Sequence, residues 1–294
     1  LMPAAAPDPA AIEEAALAKI NLTLEILGRR ADGYHELASL VVFAEAGDRL
    51  WAAPGDTLTL EVEGPFARSL SSEDNLVLKA AKLLQEKAGA KTGAALTLEK
   101  NLPVASGIGG GSADAAATLR ALNRLWALGL SPQELARLGK ELGADVPVCI
   151  ESRSAFMTGI GERLSPVALP GGLQLLLVNC GTPLSTAGVF KELGAGAYDG
   201  RRQEAPEPFD HFREFADWLA EHDNDLQGAA VSLLPELEEV LGAIRVQPGC
   251  HLARMSGSGA TCFGLFDDAG RLEKAVARLA DARPNWWCRP AAIL

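Results

Sequence analysis

The chain is 294 residues long, with 27 basic and 38 acidic side chains and a formal net charge of −11. That balance argues against a general nucleic-acid binder, whose surface would be basic, but leaves room for a local nest that takes one phosphate chain. Hydrophobic residues make up 48% of the chain, enough for a sizeable core, and the length suggests two domains at a prior of roughly 150 residues each.

Residues 1–14 lack the basic start and long apolar core of a secretion signal and read as a disordered tail. Residues 16–27 alternate well enough for a strand, and Gly28–Gly33 reads as a turn. Lys19 interrupts this apolar segment, and Asn21, two residues on, faces the same side of a strand. A lysine pointing inward beside an amide suits neutralising phosphate charge or lowering the pKa of a substrate hydroxyl. A snorkelling edge lysine is the plainer alternative. Tyr34 and His35 follow Arg30-Ala31-Asp32-Gly33; the element is either a solvated turn or a flat surface that stacks and hydrogen-bonds a base.

Residues 37–43 form a second apolar strand, and 58–63 alternate strictly, as a half-buried strand should. Asp74 or Asn75 can cap a helix that runs to about residue 88, with Gly89 as its stop. A short strand over 95–99 then feeds the most informative stretch, Pro103 to Ala116, reading P-V-A-S-G-I-G-G-G-S-A-D-A-A. Glycines expose their N–H groups and tolerate positive φ. A glycine run that opens a helix makes an anion cradle suited to a polyphosphate. The stretch has no lysine where a P-loop requires one, and the sixth position from Gly107 is Ser112, so G-x-G-x-x-G does not fit either. Ser112 can offer its hydroxyl to a metal ion on the phosphates or simply cap the helix. Asp114 sits where the helix dipole alone favours a carboxylate.

Leu119, Leu122, Leu125 and Trp126 recur as one helical stripe, ended by Gly129. Ser131-Pro132-Gln133-Glu134 is a capping box, and Gly143 closes that helix. Asp145 follows directly, placed to accept a hydroxyl proton or to serve as an ordinary turn residue. The Leu169–Gly172 cluster marks the domain boundary, giving domains over 15–170 and 171–294. Beyond it come a strand over 173–178, a polar loop over 194–208, helices near 212–221 and 236–244, and a small-residue turn, Ser256–Ala260, ahead of the apolar 262–266. The five scattered cysteines have no C-x-x-C spacing and read as reduced thiols of a cytoplasmic protein. No apolar run approaches the ~20 residues that span a bilayer.

Together these residues resemble the GHMP kinase superfamily. The resemblance is carried by Ala18–Leu37, Pro103–Ala116, Gly143–Pro147, Asn179–Phe190, Asn224-Asp225-Leu226 and Arg254–Ala260, and it runs from about residue 16 to the C-terminus. The Asp32–His35 element narrows it to members that phosphorylate a cytidine-diphosphate-linked methylerythritol, because homoserine and mevalonate kinases lack it. Departures are Ile108 for a common leucine, Ala113 for a frequent serine, and Cys180-Gly181 where a proline is frequent.

The resemblance implies an α+β, two-domain fold, ribosomal-S5-like at the N-terminus and ferredoxin-like at the C-terminus. It implies ATP and Mg²⁺, with the nucleotide on Pro103, Val104, Ala105, Ser106, Gly107, Ile108, Gly109, Gly110, Gly111, Ser112 and Ala113, and the metal at Ser112. Lys19 and Asp145 are the implied catalytic pair. Tyr34 and Phe190 would sandwich the cytosine and His35 would read its edge, while Asn21, Thr186, Gly257 and Ser258 would hold the rest of the acceptor. No nucleic-acid or membrane partner is expected. On the residues alone, a homoserine- or mevalonate-type kinase and a non-catalytic nucleotide- or RNA-binding S5-like module stay open.

Overall fold

The computed structural model describes residues 11–70, 75–89, 92–194 and 204–294. In chain order its elements are β1 (Ile12–Asn21), β2 (Glu25–Arg29), β3 (His35–Gly55), β4 (Leu58–Glu63), α1 (Leu76–Ala88), β5 (Gly93–Glu99), α2 (Gly110–Leu125), α3 (Pro132–Gly139), α4 (Val146–Glu151), β6 (Ala155–Gly159) and β7 (Arg163–Pro166). There follow β8 (Gln174–Asn179), α5 (Thr186–Leu193), α6 (Phe212–Ala220), α7 (Leu226–Leu233), α8 (Glu236–Arg245), β9 (Leu252–Met255), β10 (Thr261–Phe266), α9 (Ala269–Ala282) and β11 (Trp287–Ala292). The chain divides into two compact units, each assembled from separate stretches. The first holds residues up to Leu17, Gly47–Val104 and Gly111–Glu151, and the second holds Ala18–Ala46, Ala105–Gly110 and Ser152–Leu294.

In the first unit the later half of β3 pairs antiparallel with β5, from Arg49 opposite Glu99 to Gly55 opposite Gly93, and β5 pairs in parallel with β4. The start of β4 alternates between half-buried and exposed positions, as its Leu-Thr-Leu-Glu pattern predicts. α1 is set by local signals. The Asn75 side chain accepts from the Val77 N–H at 2.9 Å, a cap that contributes about 1 kcal/mol, and Gly89 ends the helix with φ 62°. Asp74, the other cap candidate, lies outside the described residues. The capping box of α3 forms as predicted between Ser131 and Glu134.

α2 departs from the predicted stripe. Leu119 and Leu122 are buried, but Leu125 and Trp126 are only half-buried and Trp126 lies past the helix end. The helix buries Ala113, Ala115, Ala116 and Ala117 as well. Small side chains let neighbouring elements approach from several directions, so burial does not follow one face.

In the second unit the single strand expected over 16–27 is two. Thr23 breaks it: its Oγ1 accepts from the Leu40 N–H at 2.9 Å and its carbonyl from Ser39 Oγ at 2.5 Å. Leu24 then donates its N–H to Asp223 O, and its carbonyl accepts from the Asp225 N–H. The strand expected over 37–43 extends to all of β3, because its early residues pair with β2 and β6 and its later ones with β5. A four-stranded antiparallel sheet, in the order β11-β8-β10-β9, carries the core of this unit. Leu175–Val178 of β8 and all of β10 are buried, so both sheet faces are covered. Leu237, Val240, Leu241 and Ile244 of α8 join Leu272, Ala275 and Leu279 of α9 in that core, each large side chain contributing roughly 1.5–3 kcal/mol.

The Leu169–Gly172 cluster is a turn between β7 and β8 inside the second unit. Much of the polar loop expected over 194–208 lies outside the described residues, as do residues 1–10 of the expected tail. Its last residues, Ile12–Glu14, belong to β1 instead, where a run of paired backbone holds them. All five cysteines are free thiols. Among the described residues no helix is long and apolar enough to cross a membrane.

Candidate active site

The glycine loop leaves β5, passes through left-handed backbone at Gly107 (φ 72°) and Gly109 (φ 66°), and enters α2 at Gly110. A Cβ on Gly107 would lie 2.5 Å from Ser256 O and 2.7 Å from Gly259 N, so only glycine fits there. The first-turn N–H groups of α2 have no partner within the helix. With the positive end of a long helix behind them, they suit phosphate oxygens. Ser112 is the third residue of α2 rather than its cap, which sets aside the plain N-cap reading and puts its hydroxyl in the first turn. Among the described residues no three His, Cys, Asp or Glu side chains gather to hold a metal.

Within the second unit several expected site residues meet around this loop. Lys19 is 4% exposed, so it is no edge lysine. Its N–H donates to Ile108 O at 3.0 Å, and its side chain lies where a Cβ on Gly109 would approach to 3.2 Å. Asn21 donates its backbone N–H to Ser256 Oγ at 3.0 Å and its Nδ2 to Ser39 Oγ at 2.7 Å. Ser256 Oγ in turn donates to Gly107 O at 3.0 Å, and the Thr261 N–H donates to Ser106 O at 3.0 Å. Gly257 packs against the loop, and Ser258 shares a 2.8 Å hydroxyl contact with Thr186.

Sequence reasoning placed Asn224 in a motif without a role. Its Nδ2 donates to both Met255 O and Gly257 O at 2.8 Å, and its Oδ1 caps α7 through the Leu226 N–H. It thereby fixes the turn that braces the loop.

The aromatic residues expected at the cytosine lie in the same unit. His35 stacks on Phe190, with ring centroids 4.8 Å apart and planes 25° from parallel, so the imidazole covers one face of Phe190. Tyr34 is 59% exposed. Burial first, and then the Arg29 guanidinium, hold the His35 pKa below its ordinary value, which favours the neutral ring.

The first unit holds Pro103, Val104, Gly111, Ser112, Ala113 and Asp145. Asp145 is half-buried and immediately precedes α4. Arg120 secures the far end of that short helix: its Nη1 donates to Cys149 O at 2.8 Å and Ile150 O at 3.3 Å, and its Nη2 to Ala15 O at 2.6 Å. A cation on the last carbonyls complements the helix dipole.

The first unit also contains a buried charge cluster that the sequence reading did not assemble. Lys100 is ion-paired with Asp48 and lies 2.7 Å from Asp114 Oδ2; all three residues are at most 2% exposed. Asp48 Oδ1 accepts from the N–H groups of Asn101 (2.6 Å) and Leu102 (2.8 Å). Asp114 Oδ1 is buried without a hydrogen-bond partner. Burial pushes the Asp114 carboxyl up to about 7 against the pull of Lys100. For Lys100 burial acts downward, but the two carboxylates outweigh it and hold the ammonium above the usual lysine value.

Residues 75–153 match the model of the GHMP kinases N terminal domain, and residues 207–285 match that of the GHMP kinases C terminal domain. The chain is 53% identical over 283 residues to the 4-diphosphocytidyl-2-C-methyl-D-erythritol kinase of Parvibaculum lavamentivorans, covering 96% of this chain and 98% of that one. It is 47% identical over 277 residues to the protein of the same name from Paramagnetospirillum magneticum, covering 94% and 96%. Among solved structures it resembles a 4-(cytidine 5'-diphospho)-2C-methyl-D-erythritol kinase, with TM-score 0.75 and 35% identity over 96% of this chain and 99% of that one. A homoserine kinase from Cytophaga hutchinsonii, with TM-score 0.70 and 16% identity over 98% of this chain and 96% of that one, shares the fold.

Proposed function

The chain belongs to the GHMP kinase family, and on that premise we propose that it transfers the γ-phosphoryl group of ATP to the 2-hydroxyl of 4-diphosphocytidyl-2-C-methyl-D-erythritol. This places it in the non-mevalonate route to isoprenoid precursors, in the cytoplasm. The observation that carries the phosphoryl-transfer reading is Lys19, buried and packed on the glycine loop that opens α2. The acceptor is supported by the names of relatives at 47–53% identity along nearly the whole chain.

Phosphoryl transfer asks a protein for positioning and charge stabilisation more than for covalent chemistry. The loop amides and the N-terminal turn of α2 hold the phosphates, and the Lys19 ammonium counters charge that builds during transfer. The Asp145 carboxylate accepts or orients the proton of the attacking hydroxyl. Asn21, Thr186, Gly257 and Ser258 orient the methylerythritol part. Tyr34, His35 and Phe190 hold the cytosine, the imidazole moving off Phe190 or the base taking its other face. When bound beside the Ser112 hydroxyl, Mg²⁺ supplies charge neutralisation on the phosphates.

A coupled ADP-release assay with the cytidyl acceptor, homoserine and mevalonate side by side tests the reading. ADP release that depends on the cytidyl acceptor is expected. Turnover confined to homoserine or mevalonate, or none with any acceptor, would overturn it.

A further inference from the structure

A glycine-rich loop has more conformational freedom to lose than any other segment. The bonds of Ser256 and Thr261 brace its middle, but its two ends need fixing as well. Lys100 is the first residue past β5, and Asp114 lies in the opening turns of α2. They stand fourteen positions apart, with the whole glycine loop between them, and their side chains meet at 2.7 Å. Asp48, from the middle of β3, joins the same ammonium and also takes the N–H groups of Asn101 and Leu102, the first two residues after Lys100.

We propose that Asp48, Lys100 and Asp114 form a buried clamp that closes the base of the phosphate loop, making Lys100 and Asp114 positioning residues for nucleotide binding. The inference rests on the kinase reading above. Asp48 holds the strand exit, Asp114 holds the helix entry, and Lys100 ties the two together, so neither end of the loop drifts. Two buried carboxylates on one ammonium are a poor arrangement for stability alone, because apolar side chains of like volume avoid their desolvation. What the charges supply is direction: a lysine held between two fixed acceptors sets the spacing of β5 and α2 more sharply than apolar contact does. A loop already in its binding shape loses less freedom when the nucleotide arrives.

The test is calorimetric binding of adenylyl imidodiphosphate, a non-hydrolysable ATP analogue, to the full chain, with thermal melting of each variant. Asp114→Asn keeps an oxygen for Lys100 and should bind within about twofold of the wild type. Asp114→Leu should weaken the analogue by about tenfold or more, on the scale that small misplacements produce, while the affinity for the cytidyl acceptor stays unchanged. Should Asp114→Leu not fold, the double change Lys100→Met with Asp114→Leu leaves Asp48 on its two backbone donors with no cation stranded, and the same loss is expected. A folded leucine variant that binds the analogue like Asp114→Asn would overturn the clamp and leave the kinase reading standing. A wild-type protein that does not bind the analogue would overturn the kinase reading and the clamp with it.

Discussion

Asp145 and Tyr34 are tested by different measurements, turnover for one and binding for the other. Asp145 is half-buried and immediately precedes α4, whose far end Arg120 secures. Asp145→Ala should lower kcat by at least ~10²-fold, the scale of a lost general base, with folding intact. Near-wild-type turnover in steady-state kinetics would remove Asp145 from the mechanism. Tyr34 is exposed, so Tyr34→Ala should leave stability alone and weaken the cytidyl acceptor by ~1–3 kcal/mol, the usual worth of a base–aromatic stack. Titration calorimetry with CDP reads that loss, and an unchanged Kd rejects the stack. Lys19 and the loop could be read from sequence because each breaks a local pattern: a charge in an apolar strand, a glycine run before a helix. Asp48, Lys100 and Asp114 break none. None stands out against its sequence neighbours, and only the fold brings together residues 52 and 14 positions apart.

The elements that the sequence placed well are those with local stop and start signals. Asn75 and Gly89 bound α1, and the Ser131–Glu134 box opens α3, because caps act within a turn of their own position. The break between β1 and β2 has no such signal. It is made by Ser39, Leu40 and the 223–225 segment, which are distant in sequence. Nor does the alternating pattern reveal that β3 runs on to Gly55, since that extension depends on β5 as its partner. The loop between β5 and α2 combines both kinds of constraint. Its glycines are visible in sequence, but the need for glycine at 107 comes from Ser256 and Gly259. Gly107→Ala forces a Cβ onto left-handed backbone and into a carbonyl. It should cost more than ~1 kcal/mol of stability and abolish detectable binding of the ATP analogue. A urea melt and calorimetry measure the two effects, and a stable variant with intact binding would show that the loop tolerates a different path.

At the scale of the molecule, each unit gathers stretches separated in the chain, and no single cut divides them. A fragment of residues 1–170 contains all of the first unit but lacks β8–β11, the framework of the second. In that fragment the amides of Asn21, Leu24 and Ile26 lose Ser256, Asp223 and Asp225, their acceptors in the intact chain. They should exchange with solvent at rates close to those of an unfolded peptide, while the β3–β5 ladder over Arg49–Gly55 stays protected. Hydrogen exchange resolved by residue distinguishes the two sets, and equal protection of both would contradict this division. The same interleaving imposes an order on synthesis. Every stretch of the first unit has been made once Glu151 leaves the ribosome, but residues 18–46, which carry Lys19, Asn21 and the Tyr34–His35 pair, must wait for the last strand before their own unit closes around them. The groups proposed to recognise the acceptor are therefore among the first made and the last secured, and a nascent chain stalled before β8 exposes them without their partners.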